Sequence, residues 1–172
     1  MTYDLTTLKA LKARIDATTG EDRELDADIA ILFGKLIVII DPNAPDDMKW
    51  RIIFPDADYG CGFETGYYDS TKRSKKQLYK EAHDDAQGYE HLERFTSSVD
   101  AGLALIAKVL PEVERWVLGQ NTHHGTWSIT FHKLDKDRAP YSVAKGKAKT
   151  PALAILSATF AALIAKEENN DV

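Results

Sequence analysis

A single cysteine, Cys61, in 172 residues leaves no disulfide framework and no cysteine-rich zinc site. No apolar run reaches the roughly 18 residues that a membrane-crossing helix needs. The N-terminal stretch MTYDLTTLKALKARID has no apolar core of the kind a secretory leader carries. Positive charge is also short. The 22 Lys and Arg stand against 27 Asp and Glu, a net charge of -5. A general affinity for nucleic-acid backbone needs clustered cations, so neither nucleic acid nor membrane is an expected partner. Several catalytic signatures are missing too: no GxSxG elbow, Walker loop, GxGxxG run, HxH, HExxH or CxxC occurs. What is present is ordinary globular composition, 44% hydrophobic and 28% charged. At roughly 150 residues per domain, the expectation is one soluble intracellular domain over residues 1–172.

Apolar spacing organises the chain. Leu5, Leu8, Leu11 and Ile15 recur at threes and fours and predict a helix from Thr2 to Asp16. A second helix is expected over Glu21 to Phe33, with Glu21, Asp22 and Glu24 at its positive end and Gly34 as its stop. The β-branched run from Lys35 to Asp41 and the segment Trp50 to Phe54 read as strands. Residues 56–90 lose all period. Gly60, Gly62 and Gly66, the aromatics Tyr59, Phe63, Tyr67 and Tyr68, and the charge run Lys72 to Lys76 suggest a long inserted loop with a short helix near Lys76 to Asp84. Helical spacing returns from Ser97 to Leu110, with Thr96 or Ser97 as the expected N-cap. Glu114 to Leu118 is a further strand. Thr126 to His132 alternates cleanly, with Trp127, Ile129 and Phe131 on one side and Thr126, Ser128, Thr130 and His132 on the other. Asp135 to Lys149 reads as a polar, basic loop. Thr150 and Pro151 then open a last helix that is apolar on nearly every face, hence central or covered by a partner chain. Helices around directly consecutive strands predict an α/β fold: an αβα layered sandwich with a mixed or antiparallel central sheet.

Three stretches carry a family resemblance: GEDRELDADIA (Gly20 to Ala30), FTSSVDAGLALIAKVLP (Phe95 to Pro111) with Trp116 beyond it, and KTPALAILSATFAALIA (Lys149 to Ala165). In this order they resemble the phage αβα-sandwich domain family over about half the chain. The long insertion, and Phe95 where tyrosine is common, depart from that pattern. The resemblance implies a fold, a viral origin and the cytoplasm of an infected bacterial host. It implies no established activity and supplies no catalytic motif.

The chemistry that the residues suggest begins at two helix starts. Arg94, Thr96 and Ser97 precede one, and Lys149 and Thr150 the other, each offering hydroxyls, free N–H groups and a cation to a phosphate. The bland alternative is that these hydroxyls only cap their own helices. The loop aromatics Tyr59, Phe63, Tyr67 and Tyr68 could roof a planar ligand or tuck into the core. His124 and Trp127 could contact such a ligand, while His123–His124 with His132 is too sparse for a metal site. Cys61 between two glycines, the paired acids and the Lys72 to Lys76 cluster read as exposed surface. By analogy with small phage proteins that sequester nucleotide-derived immune signals, the expected function is non-catalytic capture of an ADP-ribose-type or cyclic nucleotide. The expected ligand residues are Tyr67, Tyr68, Arg94, Thr96, Ser97, His124, Trp127, Lys149 and Thr150, with no cofactor and no metal. Two alternatives stand beside it. One is a homo-oligomeric assembly protein joined through the last helix. The other is a phosphodiesterase using a pair such as His124 and His132.

Overall fold

In the computed structural model of the chain, residues 3–40, 50–53, 55, 64–65, 75–87, 92–134 and 140–170 are described. The elements run α1 (Leu5–Ala17), α2 (Arg23–Leu32), β1 (Ile37–Ile40), β2 (Trp50–Ile53), β3 (Glu64–Thr65), α3 (Lys75–Ala86), α4 (Val99–Val109), β4 (Arg115–Asn121), β5 (Thr126–Leu134), β6 (Pro140–Ala148) and α5 (Pro151–Asn170). The fold is α/β. Its described strands do not share one central sheet. They form two three-stranded antiparallel sheets, ordered β1-β2-β3 and β4-β5-β6. The chain correspondingly divides into two compact units, Met1–Leu25 with Arg94–Val172, and Asp26–Glu93. The inserted part thus begins about thirty residues before the loop expected at 56–90, and it carries strands and a helix of its own.

The first unit is organised by α5. This helix packs on β5 and β6 on one side and on α1 and α4 on others. Residues 152–160 are all buried. Its all-round apolarity is therefore satisfied inside the unit, and no partner chain is needed to explain it. Thr150 and Pro151 start α5 as expected: Leu153 N–H donates to Thr150 Oγ1 at 3.2 Å. Leu8, Leu11 and Ile15 form the buried stripe of α1, which packs on α5. Asp4 caps α1, its carboxylate accepting from Thr7 N–H at 2.8 Å.

Small residues decide how closely the layers approach. Gly146 of β6 lies against the α5 backbone so tightly that a Cβ there would meet Ala154 O at 2.2 Å and Ala158 N at 2.5 Å. Gly102 of α4 meets a side chain of α5 instead: a Cβ there would lie 2.9 Å from Ile155 Cγ2. Beside Gly146, Ile129 and Phe131 of β5 are fully buried. Each such burial contributes roughly 1.5–3 kcal/mol. The segment expected to be a basic loop at 135–149 is thus largely a strand, and one that packs directly on α5.

In the second unit α3 packs on β1 and β2. Ala27, Ile29, Ala30, Phe33, Leu36, Ile52, Ala82 and Ala86 are buried. Gly34 ends α2 in the left-handed region, at φ 67°. Gly34 N–H donates to Ile31 O and Lys35 N–H to Ala30 O, the paired closure for which a residue without Cβ is suited. No helix among the described residues is long and apolar enough to cross a membrane.

Candidate functional site

The expected ligand residues that are described lie before α4, in the β4–β5 turn, on β5 and before α5, and several of them already have partners within the chain. At the first helix start the N-cap is Ser98, one residue beyond the expected Thr96 or Ser97: its hydroxyl accepts from Ala101 N–H at 3.2 Å. Thr96 is fully buried and faces the other way. Asp22 N–H donates to Thr96 Oγ1 at 2.9 Å, while Asp22 itself accepts from Leu25 N–H at 2.9 Å and so caps α2. Arg94 donates to Glu21 Oε1 at 2.6 Å. The cation and hydroxyl meant for a phosphate thus tie the α2 start to the turn before α4, and an internal carboxylate already occupies the arginine. Ser97 is an exposed turn residue.

A second group stands at one end of the β4-β5-β6 sheet. His124 lies exposed in the turn between β4 and β5, closed by Gly125 at φ 57°. Trp127 is half-buried and pairs with Ala148, next to Lys149 and Thr150. Thr150 spends its oxygen on the α5 start. Tyr67 and Tyr68, expected to form the roof, lie outside the described residues, as do Tyr59, Cys61 and Phe63. His132 is six residues along the same strand from Thr126. That is about 20 Å at the strand rise, so His124 and His132 stand at opposite ends and make no acid–base pair. Among the described residues no group of His, Cys, Asp or Glu could hold a metal ion.

The sequence reading passed over two features. In the second unit His83 is buried on α3, with Nε2 3.0 Å from Asp28 Oδ1 and Nδ1 3.4 Å from Gln87 Nε2. Tyr79 stacks on the imidazole at 6.3 Å between ring centres, and burial together with the Asp28 charge raises the Tyr79 phenol. The spacing of Tyr79, His83 and Gln87 by fours was the available signal. Both imidazole nitrogens have partners, so the group joins α2 to α3 and leaves no nitrogen for a reaction.

The other feature is the β4-β5-β6 sheet as a surface. Strand alternation and pairing put Trp116, Leu118, Ile129, Phe131, Ala144 and Gly146 on the side of α5. The opposite side carries Arg115, Val117, Ser128, Thr130, His132, Lys145 and Lys147. Arg115, Val117, Ser128, Lys145 and Lys147 are exposed. From Arg115 to Lys149 the chain holds seven of its 22 Lys and Arg but two of its 27 Asp and Glu, and none of those acids is on a strand. Arg115, Lys145, Lys147 and Lys149 make no ion pair among the described residues. On the same face, Thr126 Oγ1 and His132 Nδ1 find no hydrogen-bond partner among the described residues.

On the α5 side, an open cavity of about 270 Å³ is lined by Leu110, Glu112, Val113, Lys133, Val143, Ala162 and Lys166, among others. Glu112 accepts from Lys166 at 3.2 Å and lies 3.8 Å from Lys133. Burial pushes the Glu112 carboxyl up, but the backbone N–H and the two lysines outweigh it and hold the group below its usual value. Both lysines of this cavity stand beside its one carboxylate.

No protein family, curated protein or solved structure matches the chain. The resemblance to phage αβα-sandwich domains therefore rests on its three segments alone. The structure gives two of them an internal role: Arg94–Glu21 and Thr96–Asp22 join the first segment to the turn that opens the second.

Proposed function

We propose that this chain is a non-catalytic binding protein that holds a phosphate-bearing ligand on the open face of the β4-β5-β6 sheet. The observation that supports the reading is the segregation of charge: a protein of net charge -5 keeps Arg115, Lys145 and Lys147 on one sheet, and Lys149 just beyond it, without carboxylate partners among the described residues. Lysine side chains that no acid neutralises are available to phosphate oxygens, and the Ser128 and Thr130 hydroxyls between them supply further donors. Lys145 and Lys147 are two residues apart on one face, hence about 7 Å apart along the strand. That spacing suits a ligand with two anionic groups, as in the ADP-ribose-type and cyclic nucleotide signals expected above. The site differs from the expected one, because the helix starts are closed by Ser98 and Thr150.

Isothermal titration with ADP-ribose and with a cyclic dinucleotide tests this reading. The expected result is binding tighter than about 1 mM that weakens at least tenfold in Lys145→Glu/Lys147→Glu, is unaffected in Arg94→Ala, and returns unchanged ligand on denaturation. Absence of binding, or a loss seen in Arg94→Ala but not in the lysine variant, would refute it.

A further inference from the structure

Among the described residues, strand β4 pairs with β5 alone and stands at the outer position of its sheet. Half of the N–H and C=O groups of such a strand point away from the sheet and template pairing with another chain. Proteins usually guard an outer strand by brevity, an interior charge, a proline or a bulge. β4 uses none of these. It runs seven residues, RWVLGQN, with an unbroken register to β5 from Arg115–His132 to Asn121–Thr126. Its one charge, Arg115, is at the first position. Trp116 and Val117, on opposite faces of the strand, are 44% and 51% exposed. All four large exposed apolar residues described in this unit, Trp116, Val117, Leu134 and Tyr141, belong to this one sheet.

We propose that β4 joins two copies of this chain, pairing antiparallel with its own counterpart about a two-fold axis at Leu118. Full overlap of the seven residues fixes that centre. Leu118 then meets the second copy's Leu118, Val117 meets Gly119, Trp116 meets Gln120 and Arg115 meets Asn121. Large side chains face small or flexible ones, and the cation at each end meets a neutral amide, so no like charges oppose one another. One step beyond the strand, Glu114 comes opposite Thr122 and beside the His123–His124 turn of the second copy, an acid next to two groups that become cationic on protonation. The contact is isologous and closes at two chains. The product is a six-stranded sheet whose basic faces are continuous. The inference stands on the outer strand alone and survives if the ligand reading fails.

Sedimentation velocity on the full chain, without ligand, from about 1 to 100 µM reads the association directly. The expected mass is twice the 19.2 kDa of one chain. Val117→Lys places a charge on the outer strand, and the dimer dissociation constant is expected to rise at least about tenfold with an unchanged circular-dichroism spectrum. Leu118→Cys in a Cys61→Ser background is expected to form a disulfide-linked dimer on mild oxidation, because directly opposite Cα atoms in an antiparallel pair lie about 4.5–5.5 Å apart, within disulfide reach. Trp116→Cys in the same background is expected not to cross-link. A chain that stays at single mass to 100 µM overturns the proposal. So does a dimer that is indifferent to Val117→Lys and not cross-linked through Leu118→Cys, which would place the interface elsewhere.

Discussion

The two faces of the β4-β5-β6 sheet are built from alternate residues of the same three strands, yet they obey different constraints. The face toward α5 is governed by sterics: Gly146 has no room for a methyl group, and Ile129 and Phe131 are sealed. The opposite face is governed by charge, with exposed Lys145 and Lys147 flanking Gly146 in sequence. A two-residue period therefore lets one nine-residue strand carry the packing of the unit on one face and the exposed lysines of the proposed binding surface on the other. Substitutions should separate the two roles.

The largest effect is expected at Gly146. Gly146→Ala drives a Cβ into the Ala154 carbonyl and the Ala158 amide, and neither backbone group can turn aside. A loss of about 3 kcal/mol or more in thermal or urea unfolding is expected. Lys145→Ala and Lys147→Ala, one residue to either side, should stay within about 0.5 kcal/mol of the parent. If Gly146→Ala melts with the parent protein, the close approach of β6 to α5 is wrong.

A smaller effect sharpens the account of the helix starts. Ser98→Ala removes the cap of α4 and is expected to cost about 1 kcal/mol in urea denaturation, while Ser97→Ala should cost almost nothing. The reverse order would restore the cap to the position that sequence spacing suggested.

The smallest effect concerns pH. The folded Glu112 carboxyl titrates below its usual value of 4.5, so its contribution is present above that value and is lost as pH falls through the lower, folded one. Melting temperature should drop on acidification through that range, and the drop should be shallower in Glu112→Gln. Equal acid sensitivity in the two proteins would show that the Lys133 and Lys166 contacts do not matter to stability.

Much of this fold was legible in the sequence because local signals agreed with tertiary contacts. The stripe of α1, the Thr150–Pro151 start of α5, the Gly34 stop of α2 and the alternation of β5 all appear where spacing and capping chemistry put them. The β6 segment was illegible for a physical reason. Lys145, Gly146 and Lys147 look like loop composition, yet the glycine is there to admit a helix and the lysines lie on the solvent side of a strand. The division into two sheets was hidden because strand pairing between distant segments leaves no local periodicity.

The candidate site was less legible. Arg94 and Thr96 have the residue types of an anion site, but their partners are Glu21 and Asp22, more than seventy positions earlier in the chain. No reading of one helix start reveals that an acid from another segment fills it. The net charge of -5 misled in the same manner: averaged over the chain it conceals a sheet whose strands carry cations and no acid.

The central claim, that phosphate binds the open face of the sheet, is tested most directly by amide chemical-shift mapping while ADP-ribose or a cyclic dinucleotide is added at low salt. The account predicts saturable shifts at Arg115, Ser128, Thr130, Lys145 and Lys147, fading as salt is raised. Shifts confined to residues 94–98 and the start of α4, or none at all, would contradict it.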